Sequence, residues 1–205
     1  MTHLINNNGP AKLVPTVGAK FESRGICPVL IGTIGLTGDA PAGKGNLQPN
    51  LNVGRGLKDA YVGAGLKYTQ QLTDNTGYYV NLQTDKTFGI KDQVKYTENY
   101  TYDNRVIDTY KASYPINSQC LNFSTGIFYK DKHGVEWKQG GSIMHTKAEI
   151  PTESPINDQK FDKWGAALNL GVKIPDKYGA TEVNARLGGY FGGEGAFSFG
   201  VSRYF

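Results

Sequence analysis

The sequence predicts an all-β fold, a single antiparallel up-and-down β-barrel of about eight strands. Three observations carry that prediction. Period-two alternation of apolar and polar residues runs through most of the chain, and no capped apolar run at helical spacing interrupts it. Short stretches rich in Asn, Asp, Pro and Gly punctuate the alternation where strands would turn. Glycines recur on the polar side of the strands, where a solvated face has no use for them.

Taken in order, the strands are read near 26–37, 59–72, 77–90, 118–131, 134–147, 163–174, 180–191 and 195–205. "TDNTG" (73–77), "KDKHG" (130–134) and "PDKYG" (175–179) supply tight turns that share one end of the sheet. The long polar connections 38–58, 91–117 and 148–162, with the short "GGEG" (192–195), mark the other end. The chain divides into an N-terminal extension, 1–25, and a barrel domain, 26–205. Within the extension "KLVPTVGAKF" (12–21) can be an extra strand or a plug, and Pro10 and Pro15 weigh against the strand. The loop 91–117 alternates weakly and can extend its flanking strands as a tyrosine-rich hairpin.

Length and composition narrow the function classes. The 205 residues fit one domain, and 20% charged residues do not suit a disordered chain. The net charge of +4 is scattered among acids rather than gathered in a basic stripe, so no nucleic-acid partner is expected. The longest apolar-leaning run, "ICPVLIGTIGL" (26–36), is too short for a membrane helix and contains Pro28. "MTHLINNNGPAKLVP" lacks the basic-then-apolar order of a secretory signal. Cys27 and Cys120 form no CxxC, and the strand order puts them at opposite ends of the sheet, too far apart to pair.

Local motifs point away from catalysis. "GDAPAGKG" (38–45) has the spacing of a phosphate loop, but Gly45 stands where Ser or Thr should hold Mg²⁺, and no helix can follow. A flexible loop is the better reading. His3, His133 and His145 are scattered, without a second ligand at metal spacing. No G-x-S-x-G elbow exists. No catalytic residue, metal or small-molecule cofactor is expected.

The question is then which face of the sheet is inside. Trp164, Ala166, Leu168, Leu170, Val172 and Ile174 share one face of their strand, with Gly165, Ala167, Asn169, Gly171 and Lys173 on the other. A soluble barrel buries the apolar face, whereas a transmembrane barrel turns it outward to lipid. The glycines separate the two. Gly63, Gly65, Gly126, Gly140, Gly165, Gly171, Gly188 and Gly200 all fall on the polar face. A narrow barrel must offset large interior side chains with small ones, so the polar face is read as the crowded inside. Lys67, Glu136, Lys138, Lys173, Glu182 and Arg186 then point inward, with both signs present for pairing.

On these residues the chain resembles the small, eight-stranded outer-membrane β-barrel proteins of Gram-negative bacteria. The last strand, "AFSFGVSRYF", is similar to their C-terminal assembly signature, which Phe197, Phe199, Val201 and Phe205 match. Arg203 departs from it by placing a charge on the lipid face near a rim. Tyr68, Tyr78, Tyr129, Trp137, Trp164 and Phe191 lie on the outer face near strand ends, as membrane girdles do, though strands favour aromatics anyway. The resemblance implies an outer-membrane location, a lipid-bilayer partner and a non-enzymatic structural, adhesive or recognition role through the long loops. Tyr96, Tyr100, Tyr102, Tyr110 and Tyr114 are the candidate contact residues, since tyrosine offers area at low entropic cost; an ordinary solvated hairpin is the plainer reading. The alternative is a virion structural protein, a bacteriophage head or tail component, whose apolar face meets neighbouring protein subunits.

Overall fold

The computed structural model describes residues 11–23, 28–89, 94–102, 105–114, 117–149 and 160–205. Of Ser23, Pro28, Val29, Glu149, Lys160 and residues 94–102 and 105–114 it describes the backbone alone. Among the described residues twelve strands follow one another: β1 Lys12–Ser23, β2 Pro28–Ala42, β3 Gly45–Gly56, β4 Asp59–Gln71, β5 Thr76–Gly89, β6 Val94–Tyr102, β7 Arg105–Tyr114, β8 Asn117–Lys130, β9 Glu136–Glu149, β10 Lys160–Asp176, β11 Gly179–Tyr190 and β12 Gly195–Tyr204. Ten of them close into one antiparallel barrel in the order β1-β12-β11-β10-β9-β8-β5-β4-β3-β2. β6 and β7 pair with each other as a separate two-stranded ribbon.

The barrel therefore has ten strands, not the expected eight. The two additional strands come from segments rich in proline and glycine. β1 pairs with β2 along its length and with β12 from Thr16↔Tyr204 to Ser23↔Phe197, which closes the wall. Pro15 sits just past the end of β12, where no ladder bond from that side needs its missing N–H. Its carbonyl accepts the N–H of Phe205 at 3.2 Å. β3 replaces the loop expected at 38–58. Its ladder with β2 passes from Thr37↔Asn50 to Ala40↔Leu47, and Pro49 occupies the gap. The phosphate-loop look-alike is the hairpin turn between β2 and β3, with Gly43 at φ +61.

Connections sort by end. Residues 43–44, 72–75, 131–135 and 177–178 turn tightly at the end where β1 starts and β12 finishes. Side chains build three of these turns: Thr73 Oγ1 accepts the N–H of Thr76 (3.1 Å), Asp131 Oδ1 those of His133 (2.8 Å) and Val135 (3.0 Å), and Asp176 Oδ1 that of Tyr178 (2.8 Å). At the opposite end the chain turns at 57–58 and 191–194, and the β6–β7 ribbon is inserted between β5 and β8. Gly89 and Asn117, at the ribbon's two roots, are joined by an N–H to Oδ1 bond of 3.1 Å.

The wall is apolar outside and polar inside. Exposed apolar side chains occur on every barrel strand, from Val17 on β1 through Ile34, Leu51, Leu66, Leu82, Phe123, Ile143, Leu168 and Leu187 to Phe199 on β12. The buried set includes Thr16, Glu22, Asp59, Asp85, Asn122, Ser142, Thr146 and Glu182. Crowding explains most of the interior glycines, though not Gly200, where a Cβ would meet only the Ala19 carbonyl oxygen at 3.6 Å. Gly126 and Gly140 stand directly opposite one another on β8 and β9. A Cβ on either would come within 2.7 Å of the Tyr79 hydroxyl, so Tyr79 lies across the pair. Gly77 likewise leaves room for the Phe128 ring.

Candidate functional site

The inward positions of ten strands build a lumen with three levels. At the long-loop end, one half of it is packed by Cys120, Met144, Ala167, Tyr190 and Ala196, with Phe161 edge-on to Tyr190 at 5.0 Å. The Tyr190 hydroxyl bonds Thr146 Oγ1 at 2.8 Å. Cys120 belongs to this cluster; Cys27 lies outside the described residues. The other half is mostly polar, lined by Glu22, Asp59, Asp85 and Thr87, with the fully buried Ile31 opposite Lys20. Lys20 bridges Glu22 (2.9 Å) and Asp85 (3.8 Å) there and lies 5.4 Å from the centre of the Tyr61 ring.

Below this level is a chamber of about 310 Å³, lined by Lys20, Tyr61, Asp85, Asn122, Asn169 and Arg186 among others. Arg186 Nε donates to Asn169 Oδ1 at 3.0 Å, and Ser142 Oγ to the same oxygen at 3.4 Å. A wider vestibule of about 1430 Å³ lies toward the short turns, lined by Asp39, Lys44, Asp74, Lys130, Glu136 and Lys173 among others. Between the two stands a ring of side chains that lines both: Thr37, Gln48, Lys67, Lys138, Glu182 and Tyr204. Its centre is an ion-paired cluster. Lys138 Nζ is 2.6 Å from Glu182 Oε1 and 3.2 Å from Glu136 Oε1, and Tyr204 donates its hydroxyl to Glu182 Oε2 at 2.8 Å. Lys173 lies over the Tyr204 ring (4.7 Å) and Lys67 over the Tyr79 ring (5.4 Å).

The inward set read from the sequence, Lys67, Glu136, Lys138, Lys173, Glu182 and Arg186, thus lines this lumen, and the first five gather around the ring or its vestibule side. Lys20, Glu22, Asp85, Tyr61 and Tyr79 were not singled out from the sequence. For Lys20 and Glu22 the signal was present in the alternation of β1, had that segment been read as a strand. Tyr79 could have been found by asking what large group the facing glycines accommodate.

The outer belt has its own order. Tyr68, Tyr78, Tyr129 and Trp137 lie toward the short-turn rim, with the rings of Tyr68 and Tyr78 6.2 Å apart. Trp164, stacked on His145 at 4.5 Å, and Phe191 lie toward the other rim. On β9 the stretch from Trp137 to His145, rising about 3.3 Å per residue and tilted about 40°, covers about 20 Å of barrel height. That is close to the apolar band of about 25 Å on a membrane barrel. Phe197, Phe199 and Val201 face outward on β12, Phe197 5.5 Å from the Phe21 ring across the closing seam, and Phe205 follows the strand, exposed. Arg203, the outward charge in that strand, is clasped by Asp176 (Nη2 to Oδ1, 2.8 Å) and by Thr181 Oγ1 at 3.1 Å. His145 also bonds Asp162 Oδ1 at 2.6 Å. The backbones of Tyr96, Tyr100 and Tyr102 lie in β6 and those of Tyr110 and Tyr114 in β7; their side chains lie outside the described residues. The ribbon's register shifts between Tyr100 and Thr101.

No protein-family model matches the chain, and no curated protein matches it. Solved structures to which it is similar include three barrels. The attachment invasion locus protein Ail of Yersinia pestis is 10% identical, with a TM-score of 0.43 over 95% of this chain and 97% of that one. Neisserial surface protein A is 8% identical, with a TM-score of 0.46 over 96% and 97%. The beta domain of the Bordetella autotransporter BrkA is 11% identical, with a TM-score of 0.46 over 96% and 99%.

Proposed function

We propose that this chain is an integral outer-membrane β-barrel with no catalytic role, which holds a rigid ten-stranded wall in the bilayer and presents the β6–β7 ribbon and its neighbouring connections for adhesion or recognition. The observation that carries this reading is the inversion of the wall. Large apolar side chains stand exposed on all ten strands of a closed barrel while carboxylates and lysines are buried inside it. Contiguous exposed apolar surface on this scale needs a cover, and a bilayer fits a cylindrical belt bounded by two aromatic zones. Closure of the wall leaves no unpaired strand edge, as hydrocarbon requires. The one outward charge in the terminal strand, Arg203, sits at the rim and is paired, where its cost is small.

The role assigned to the ribbon rests on position. It is an insertion on a rigid scaffold, placed by the chain at the end opposite the tight turns, and carries five of the chain's 13 tyrosines. The test is fractionation of the native source followed by a heat-modifiability gel. A chain in the outer-membrane fraction that runs as a compact species until boiled is the expected result. A chain recovered only in solution, or only in assembled particles, overturns the lipid assignment and makes the belt a subunit interface.

A further inference from the structure

The ring of Thr37, Gln48, Lys67, Lys138, Glu182 and Tyr204 is the one level at which the two chambers meet. Its members come from β2, β3, β4, β9, β11 and β12. In the barrel order β4 and β11 are diametrically opposed, so Lys67 and Glu182 approach the axis from opposite walls. At the centre Lys138 and Tyr204 both bond the Glu182 carboxylate, and Lys138 also reaches Glu136 on the vestibule side at 3.2 Å. Water-sized space lies on each side. Beyond the narrower chamber the polar side of the lumen continues through Asp85, Glu22, Thr87 and Asp59 toward the long-loop rim. Basic side chains outnumber carboxylates in the linings of both chambers.

From this arrangement we infer a further activity: the barrel contains a narrow, anion-favouring ion pathway along its axis, and the Glu182-centred ring is its barrier. This rests on the membrane-barrel reading above. A ring of fixed charges with water on either side is how a polypeptide sets both conductance and ionic preference. Glu182 does both here. It holds Tyr204 of the adjacent β12 and Lys138 of β9, two strands along the wall, and it offsets the positive charge of Lys138 and of Lys67 on the opposite wall. Removing it opens the ring and leaves two lysines to attract anions.

The test uses the purified full chain in planar bilayers, in potassium chloride, after each protein has been shown to be heat-modifiable and to float with lipid vesicles. Wild type is expected to conduct weakly. Glu182→Ala is expected to raise single-channel conductance severalfold and move the reversal potential in a salt gradient toward that of chloride. Lys138→Ala/Glu182→Ala should conduct as freely with less preference for the anion. Ser198→Ala, in the narrower chamber away from the ring, should behave as wild type. If the Glu182 variants fold and insert yet conduct like wild type, the ring is not the barrier and the proposal fails while the membrane reading stands. If wild type neither floats nor shifts on heating, both fail together. Should Glu182→Ala not fold, Tyr204→Phe removes one clasp at nearly constant volume, and unchanged conductance in that variant overturns the proposal equally.

Discussion

Glu182 and Leu168 sit on neighbouring strands of one wall and meet opposite surroundings. Glu182 is 7% exposed and held by a lysine and a tyrosine; Leu168 is 70% exposed and on the outer belt. In a soluble barrel the two environments would be exchanged. The wall therefore has two packing problems. Its inner face must satisfy charges and fit large side chains into limited space. Its outer face must only remain apolar, and in a bilayer it needs little shape specificity.

The largest way to break this comparison is to put a charge on the outer face. Leu168→Arg near mid-belt should cost about 2–4 kcal/mol of stability in vesicles, because the guanidinium must enter hydrocarbon. If water covers the belt instead, the same substitution should be within about 0.5 kcal/mol of neutral. Urea unfolding of the vesicle-inserted protein, followed by tryptophan fluorescence, reads the difference.

A finer comparison uses two adjacent glycines. Gly140 points inward, where a Cβ would meet the Tyr79 hydroxyl at 2.7 Å and crowd the Thr125 carbonyl. Gly141 points outward, where the nearest atom to a Cβ is the Ala167 carbonyl oxygen at 3.9 Å. Gly140→Ala should destabilise by about 1–3 kcal/mol through overpacking. Gly141→Ala should be neutral or gain up to about 1 kcal/mol, since glycine weakens strands. Equal effects of the two substitutions in the same unfolding assay would mean that the inner face is not the crowded one.

These glycines also show how much was legible. The phase of alternation in β4, β5 and β8–β12 shows the wall, its inner face and the inward charges, because one face of each strand is mostly apolar at alternate positions, without a break from Ala60 to Tyr68 in β4 and from Trp164 to Ile174 in β10. β1 is not counted from sequence because Pro10 and Pro15 weigh against a strand there, and β3 because 38–58 reads as a long polar connection. The alternation of Leu13, Val17 and Phe21, and of Leu47, Leu51 and Val53, was nevertheless there to be read. Proline forbids a strand only where its N–H is needed, and that depends on pairing partners remote in sequence. The same remoteness hid the ring. Lys67 and Glu182 are brought together by barrel closure, and the strand count that sets the lumen's width comes only with the ladder.

The smallest effect concerns the long-loop rim, where Glu194 lies in the turn between β11 and β12. A hydrogen bond from the Lys163 ammonium holds its carboxyl below the usual carboxylate range. A carboxyl depressed in the folded state contributes stability that is present above its unfolded value and is lost as pH falls through its folded value. The turn should therefore be tied to β10 at neutral pH and released in acid. The pair is exposed and screened by salt, so the change is confined to the rim. Protection of the amides of residues 190–195 in wild type, taken as exchange relative to the intrinsic rate at each pH, should fall as pH drops below the ordinary carboxylate value of 4.5. Glu194→Gln should exchange fast throughout and lose that pH step. A step of equal size in the variant would assign it to another carboxyl and leave the Lys163 contact without a part in holding the turn.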